Sequence, residues 1–413
     1  MAEKQKFEKQ ERVELGTFEG DIEIRDCRFL VPQQGDTIVV GGTLRIQGDT
    51  IIEGSLKAHA LEAKTRDRII IEGNLEVETI AKVEKGSLEV RGSVKAKQVE
   101  ADGSLSIDQD LMCNVAKGGG SLRVGGNAVA QRLMGGGSVK VDGDAQAERI
   151  NAGGSVKVGG RIDTDELRVG GSGKCATGRI GKVEIGGSFK ATGAVEVEEI
   201  DVGGSAVVGP GSKVADVDVG GSFKSTGGIA FGTIDVGGAV KLGGDSKGAF
   251  IDVGGALKVE GSLETVDGFD VGGKAVIEGK LISSDTIKVG GTLVVEDEIE
   301  TYRIAVGGRV EAKRTNASDG FRIGKRGEVK GPVQSREILV RERARTDDLY
   351  GEDIRIEERA RVGSVYGKDV YIEREAIVEG DLLYTDSLEV EEGAKLRKDS
   401  KQVDQLPEAD DVL

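Results

Sequence analysis

The chain has 413 residues, of which 66 are Gly, nine Phe, five Tyr, four Pro and one His, with no Trp. Its core must therefore be built from Val, Ile, Leu and Ala, and the lone His59 excludes a three-histidine metal site or a repeated histidine acid–base site within one chain. A formal charge of −16 argues against a nucleic-acid partner and favours solubility, without bearing on the fold.

The N-terminal stretch "MAEKQKFEKQER" is charged throughout, so residues 1–16 read as a flexible tail without the apolar core of a signal peptide. No stretch approaches the ~20 apolar residues of a spanning helix. Cys27, Cys113 and Cys175 are odd in number and far apart, which suits neither a disulfide framework nor a metal site and points to a reducing, cytoplasmic setting. Membrane attachment stays open. Residues 17–85 form an irregular start ("IVVGGTLRIQG", "IIEGSLKA", "IIIEGNLEV"), and His59, in "LKAHALEA", reads as an ordinary side chain beside a strand.

From 86 to 308 a strict period takes over. The last glycine of each corner falls at 86, 103, 120, 137, 154, 171, 187, 204, 221, 238, 255, 273, 291 and 308, which is 222 residues in 13 steps, a mean of 17.1. Inside one repeat Ile234, Val236, Gly238, Val240 and Leu242 alternate with Asp235, Gly237, Ala239 and Lys241, which is strand periodicity. Seventeen residues are too few for a strand and a helix but fit three short strands, so the spacing predicts a coil of a β-solenoid. An odd period would swap inside and outside at each turn unless one corner absorbs the mismatch. The Gly-Gly pairs are expected at that corner, the first glycine at positive φ and the second facing inward.

A phosphate-binding reading of these glycines fails, because none of the Gly-Lys pairs is followed by Ser or Thr. Cofactors are therefore not expected. Asp201, Asp218, Asp235, Asp252 and Asp270 share one repeat position and should stack as a carboxylate ladder, with Lys140, Lys157, Lys190, Lys224, Lys241 and Lys258 as a second ladder six residues on. A solvated, partly compensated surface is the expectation, and cation binding is the alternative.

After a loop-like "RTNASDG", an irregular junction over 309–337 gives way to "ILVRERARTDDLYGED", "IRIEERARVGSVYGKD", "VYIEREAIVEGDLLYTDS" and "LEVEEGAKL" within 338–396. Over about 340–396 these coils resemble bactofilins, the polymer-forming cytoskeletal family. The resemblance implies a right-handed triangular β-helix whose ends associate into filaments without nucleotide, a scaffold in cell shape or in placing other proteins. Residues 397–413 read as a disordered acidic tail.

The fold expectation is thus an all-β chain, a single long β-solenoid in which the 380 residues from 17 to 396 make about 22 coils, roughly 105 Å at the strand spacing. Uncapped ends would expose unpaired backbone and core, and so self-association end to end is the expected partner chemistry, with other proteins along the faces. The candidate polymerisation interface is Phe18, Ile22, Ile24, Phe29 and Leu30 at one end, and Leu382, Leu388, Val390 and Leu396 at the other. Phe7, Val13 and Leu15 could form a partial N-terminal lid. Two other classes stay open: a surface adhesin, which should carry a leader and Thr- and Asn-rich faces, and a solenoid enzyme, whose only room for an inserted site is 309–337.

Overall fold

The computed structural model describes residues 4–413. It is all-β, 65% strand and 1% helix, with parallel coils stacked into a β-solenoid of about 23 turns and about 17 residues per turn. Backbone contacts divide the chain into two compact units, 1–205 and 206–413, each described by itself.

One coil of the first unit shows how the sequence makes the wall. A short strand, Ser155–Val158, reaches the corner at Gly159 and Gly160, a long strand covers Arg161–Val169, and a second corner at Gly170 and Gly171 leads to the next short strand, Ser172–Cys175. Val156, Val158, Ile162, Leu167 and Val169 face inward and are at most 2% exposed. Each run pairs in parallel with the same run one coil away, Ser138 with Ser155 with Ser172, and Ile150 with Leu167 with Val183. Like residues therefore stack on like, and β-branched side chains fill the ladder well.

The odd period is absorbed elsewhere than expected. Alternation runs unbroken through both glycine corners, but slips in the middle of the long strand, where Thr164 and Leu167 are buried and Asp165 and Glu166 between them are not. The same slip falls at Glu148 and Arg149, at Glu198 and Glu199, and in the second unit at Glu352 and Asp353. Two adjacent outward residues bend the wall here, a charged pair in these coils and Gly181–Lys182, Gly232–Thr233 or Ala249–Phe250 in others, so this bend and not the Gly-Gly corner takes up the odd residue. In several coils the long strand is split there, as in Leu75–Val77 and Ile80–Glu84.

The glycine pairs are needed for a different reason. The expected positive φ is absent from the Gly-Gly corners; among the described residues it occurs at other glycines, such as Gly35, Gly211 and Gly268. A Cβ on Gly238 would instead lie 2.3 Å from the carbonyl oxygen of Gly221, one coil below. The corner is a close backbone stack that no side chain can enter. At the other glycine corner, carboxylate and amide side chains satisfy backbone donors: the N–H groups of Asn127, Asp144 and Arg161 donate to Asp110, Asn127 and Asp144, at 2.7–2.8 Å. Such stacked caps meet the bonding demand of the turning chain.

In the second unit the last coils change corner. Arg343, Arg359 and Glu375 adopt positive φ, near 59°, each followed by a fully buried alanine, Ala344, Ala360 and Ala376. This left-handed residue plus alanine replaces the glycine pair, which is why the Gly-Gly pairs are missing from the coils of 338–396.

Three expected irregularities are corrected. The N-terminal tail is a coil: Lys4–Glu8 pairs with Asp21–Arg25, and Arg12–Leu15 with Phe29–Pro32, burying Val13 and Leu15; residues 1–3 lie outside the described residues. The junction at 309–337 continues the solenoid, with "RTNASDG" inside the strand Arg314–Ile323 and only a bulge near Gly320. Its polar composition reads as loop, yet Asp319 is held by ion pairs to Arg303 and Arg336. Residues 397–413 fold back on the last coils through the strand Lys401–Gln402 and the helical turn Ala409–Val412.

Cys27, Cys113 and Cys175 are free and buried, and burial pushes the Cys113 and Cys175 thiols up to about 12. A thiolate is the reactive form. A charged thiol reagent at pH 8 is therefore expected to label none of the three in the native protein and all three in denaturant; rapid native labelling of Cys113 would contradict this packing.

Candidate functional site: the terminal coils

The candidate interface residues near the N-terminus do not form a free surface. Ile22, Ile24 and Leu30 are at most 1% exposed, sealed beneath the coil of residues 4–15. Phe18 is half-buried, and Phe29 points outward with the Arg28 guanidinium 5.2 Å above its ring. The outermost strand is instead "KQKFE", Lys4–Glu8, in which Phe7 is half-buried and the other four residues are exposed. Charged edge strands discourage further pairing.

Ion pairs hold this coil in place. Lys4 and then Arg25 draw the Glu23 carboxyl down to about 2, with Lys4 Nζ 2.8 Å and an Arg25 nitrogen 2.6 Å from its oxygens. A carboxyl lowered in the folded state stabilises it above the unfolded pKa, about 4.3, and that contribution is lost as pH falls towards 2. Amide protection of Lys4–Glu8, corrected for intrinsic exchange, should thus fall between pH 4 and 2, and in Glu23→Gln it should already be low at pH 6. Protection unchanged down to pH 2.5 would remove Glu23 as the clamp.

In the second unit the terminal coil is built differently. The strand Leu382–Val390 pairs with Val365–Ile372 beneath it, placing Leu388 on Val370 and Val390 on Ile372. Val370 and Ile372 are 1% and 0% exposed, whereas Val390 is 40% exposed and Leu388 and Leu396 are half-buried. Leu382, also a candidate, is buried at 1%. Above this coil, among the described residues, only Leu383 and Tyr384 find a strand partner, in Lys401 and Gln402. The backbone edge from Thr385 to Val390 and at Lys395–Leu396 carries no further strand.

The sequence did not indicate where the C-terminal segment goes. After Gln402 it leaves the end uncovered and runs back along the side of the coils: the Tyr350 hydroxyl donates to the Pro407 carbonyl at 3.1 Å, Arg314 pairs with Asp410, and Leu406 enters a groove beside Tyr350. Leu406, Ala409 and Val412, three residues apart, give the segment an apolar side, but nothing in that pattern says where it docks. A second lateral groove, of about 790 Å³, is bordered by Arg322, Leu339, Arg355 and Tyr371 on one side and Asp353 and Asp369 on the other.

The two ladders are real but do not neutralise each other. Asp218, Asp235, Asp252 and Asp270 stack in register, while Asp201 lies in the first unit. Burial, then the carboxylates of Asp235 and Asp270, push the Asp252 carboxyl up. Lys241 and Lys258 pair with Glu260 and Glu278 rather than with the aspartates. Among the described residues no three His, Cys, Asp or Glu groups are placed to hold a metal ion. His59 lies at the surface with Nδ1 3.0 Å from Glu78 Oε2.

The fold defines the chain as a β-solenoid repeat protein. No family model, no curated protein and no solved structure matches it.

Proposed function

We propose that the chain is a self-assembling scaffold protein, joined end to end without nucleotide through the open edge of its C-terminal coil. The observation that supports this reading is the contrast within one ladder: Val390 is 40% exposed directly above a fully buried Ile372. An apolar row beside an unfilled strand edge favours a β-partner, and a second copy presents the same edge. Like ends meeting about a two-fold axis would let the open Thr385–Val390 edges of two copies pair antiparallel and bury both Leu388 side chains. The bactofilin-like coils at 340–396 agree with this reading, since that family polymerises through solenoid ends. The charged Lys4–Glu8 edge makes the N-terminal contact the weaker one, so growth beyond the dimer should be salt-sensitive.

Because Cys27, Cys113 and Cys175 are buried, Val390→Cys supplies the one accessible thiol. Mild oxidation of this variant is expected to give a covalent dimer with high yield, and a control thiol at the exposed Val266 is not. Equal cross-linking at both positions would contradict the proposed contact.

A further inference from the structure

A face of the first unit carries a row of cations that the self-assembly reading does not use. On the short strands Ser121–Val124, Ser138–Val141, Ser155–Val158, Ser172–Cys175 and Ser188–Ala191 the outward positions are a serine and, two residues on, a cation. In-register pairing stacks Arg123, Lys140, Lys157, Lys174 and Lys190, one per coil at the ~4.8 Å strand spacing. Lys174 belongs to this row although the glycine-pair pattern around it, in "GGSGKC", hides the repeat.

Directly opposed like charges destabilise a sheet. Two of the equivalent lysines of the second unit are relieved of that cost, Lys241 by Glu260 at 2.5 Å and Lys258 by Glu278 at 2.9 Å, while Lys224 stacks singly on Lys241. In the first unit Asp142 pairs with Lys140 and Arg123 and lies within the electrostatic reach of Lys157, but Lys157, Lys174 and Lys190 are exposed and among the described residues make no ion pair. The serine row beside them is also unspent: among the described residues the hydroxyls of Ser138, Ser155, Ser172 and Ser188 find no hydrogen-bond partner, and glycines flank the strands. In a chain of net charge −16, a straight, narrow, unneutralised cationic row is a local reversal of sign.

We infer that this serine–lysine face binds a linear acidic polysaccharide, laid along the coils with its carboxylates on Lys157, Lys174 and Lys190 and its hydroxyls on the serine row. Three features select that class of partner. The row is one cation wide, which suits a single extended chain rather than a broad anionic surface. Its step is on the order of one sugar residue of an extended polyuronate, about 5 Å, so a chain laid along the coils keeps pace with the row, offering a carboxylate or a ring hydroxyl at each coil. The face has hydroxyls and no aromatic side chain, which suits sugar hydroxyls and gives nucleobases nothing to stack on.

The test uses the full-length protein and polygalacturonate, with binding followed by calorimetry at several salt concentrations. The native chain should bind, and Lys157→Gln/Lys174→Gln/Lys190→Gln should lose at least tenfold in affinity and about two to three in the slope of log affinity against log salt. Lys241→Gln/Lys258→Gln, on the compensated ladder, should bind as the native chain does, and circular dichroism should show both variants folded. Absence of polygalacturonate binding, equal binding by the first variant, or equal loss in the second would overturn the assignment. So would binding of single-stranded DNA or polyphosphate to this face in preference to the polyuronate.

Discussion

Gly238→Val is expected to cost about 3–5 kcal/mol and to open the coils around residue 238 well below the unfolding temperature of the rest of the second unit. The cause is contact rather than backbone angle. A Cβ there would meet the Gly221 carbonyl oxygen at 2.3 Å, and the obstacle is backbone of the neighbouring coil, held there by the Ala239 N–H, which donates to that same oxygen. Even Gly238→Ala should be severe. Gly120 is the internal control, because its Cβ would find nothing nearer than the Ser104 hydroxyl at 3.4 Å, an ordinary contact. Gly120→Ala is expected to change stability by less than about 1 kcal/mol. Since each coil touches mainly its neighbours, the damage should be local, visible in hydrogen exchange as lost protection one or two coils either side. Equal, small effects of Gly238→Ala and Gly120→Ala on denaturant unfolding would mean that the corners are not close-packed.

The repeat was legible because it is written redundantly. Fourteen glycines hold a step of 16 to 18 residues, and alternation such as Ile234, Val236, Val240 and Leu242 leaves strand as the only period that fits. The corner that absorbs the odd residue was harder to locate, since adjacent charged residues such as Glu198 and Glu199 look like any solvated stretch; the burial gap between Val197 and Ile200 marks them as a bend. Charge also misdirected the reading of the N-terminus. "KQKFEKQER" has the composition of a tail, but in a solenoid a strand needs only an edge to pair with, and Asp21–Arg25 offers one together with the Glu23 clamp. This displaced the end by a coil and turned Ile22, Ile24 and Leu30 from candidate surface into core. At the other end the candidates Leu388, Val390 and Leu396 do lie on the last coil, while the return of residues 403–413 along the side depends on Arg314 and Tyr350, nearly a hundred and some sixty residues earlier, a tertiary contact no local pattern announces.

Leu388→Lys/Val390→Lys is expected to leave the coils intact and to weaken self-association at least 100-fold, about 3 kcal/mol. Both positions sit at the outer coil, so the monomer can hydrate the new ammonium groups. A mated end could not, because two copies would bring four like charges together at a surface formed by Leu and Val, where they would be stripped of water. The opposite substitution at the N-terminal edge, Lys6→Leu, should strengthen association by removing a charge that guards the Lys4–Glu8 strand.

The most direct test is multi-angle light scattering of the native chain and of Leu388→Lys/Val390→Lys over a hundredfold range of concentration. The C-terminal contact predicts that the native mass climbs with concentration from 43.3 kDa through the dimer, while the variant stays near 43.3 kDa. A native chain that remains monomeric at every concentration and salt, or a variant that associates as strongly as the native chain, would contradict it.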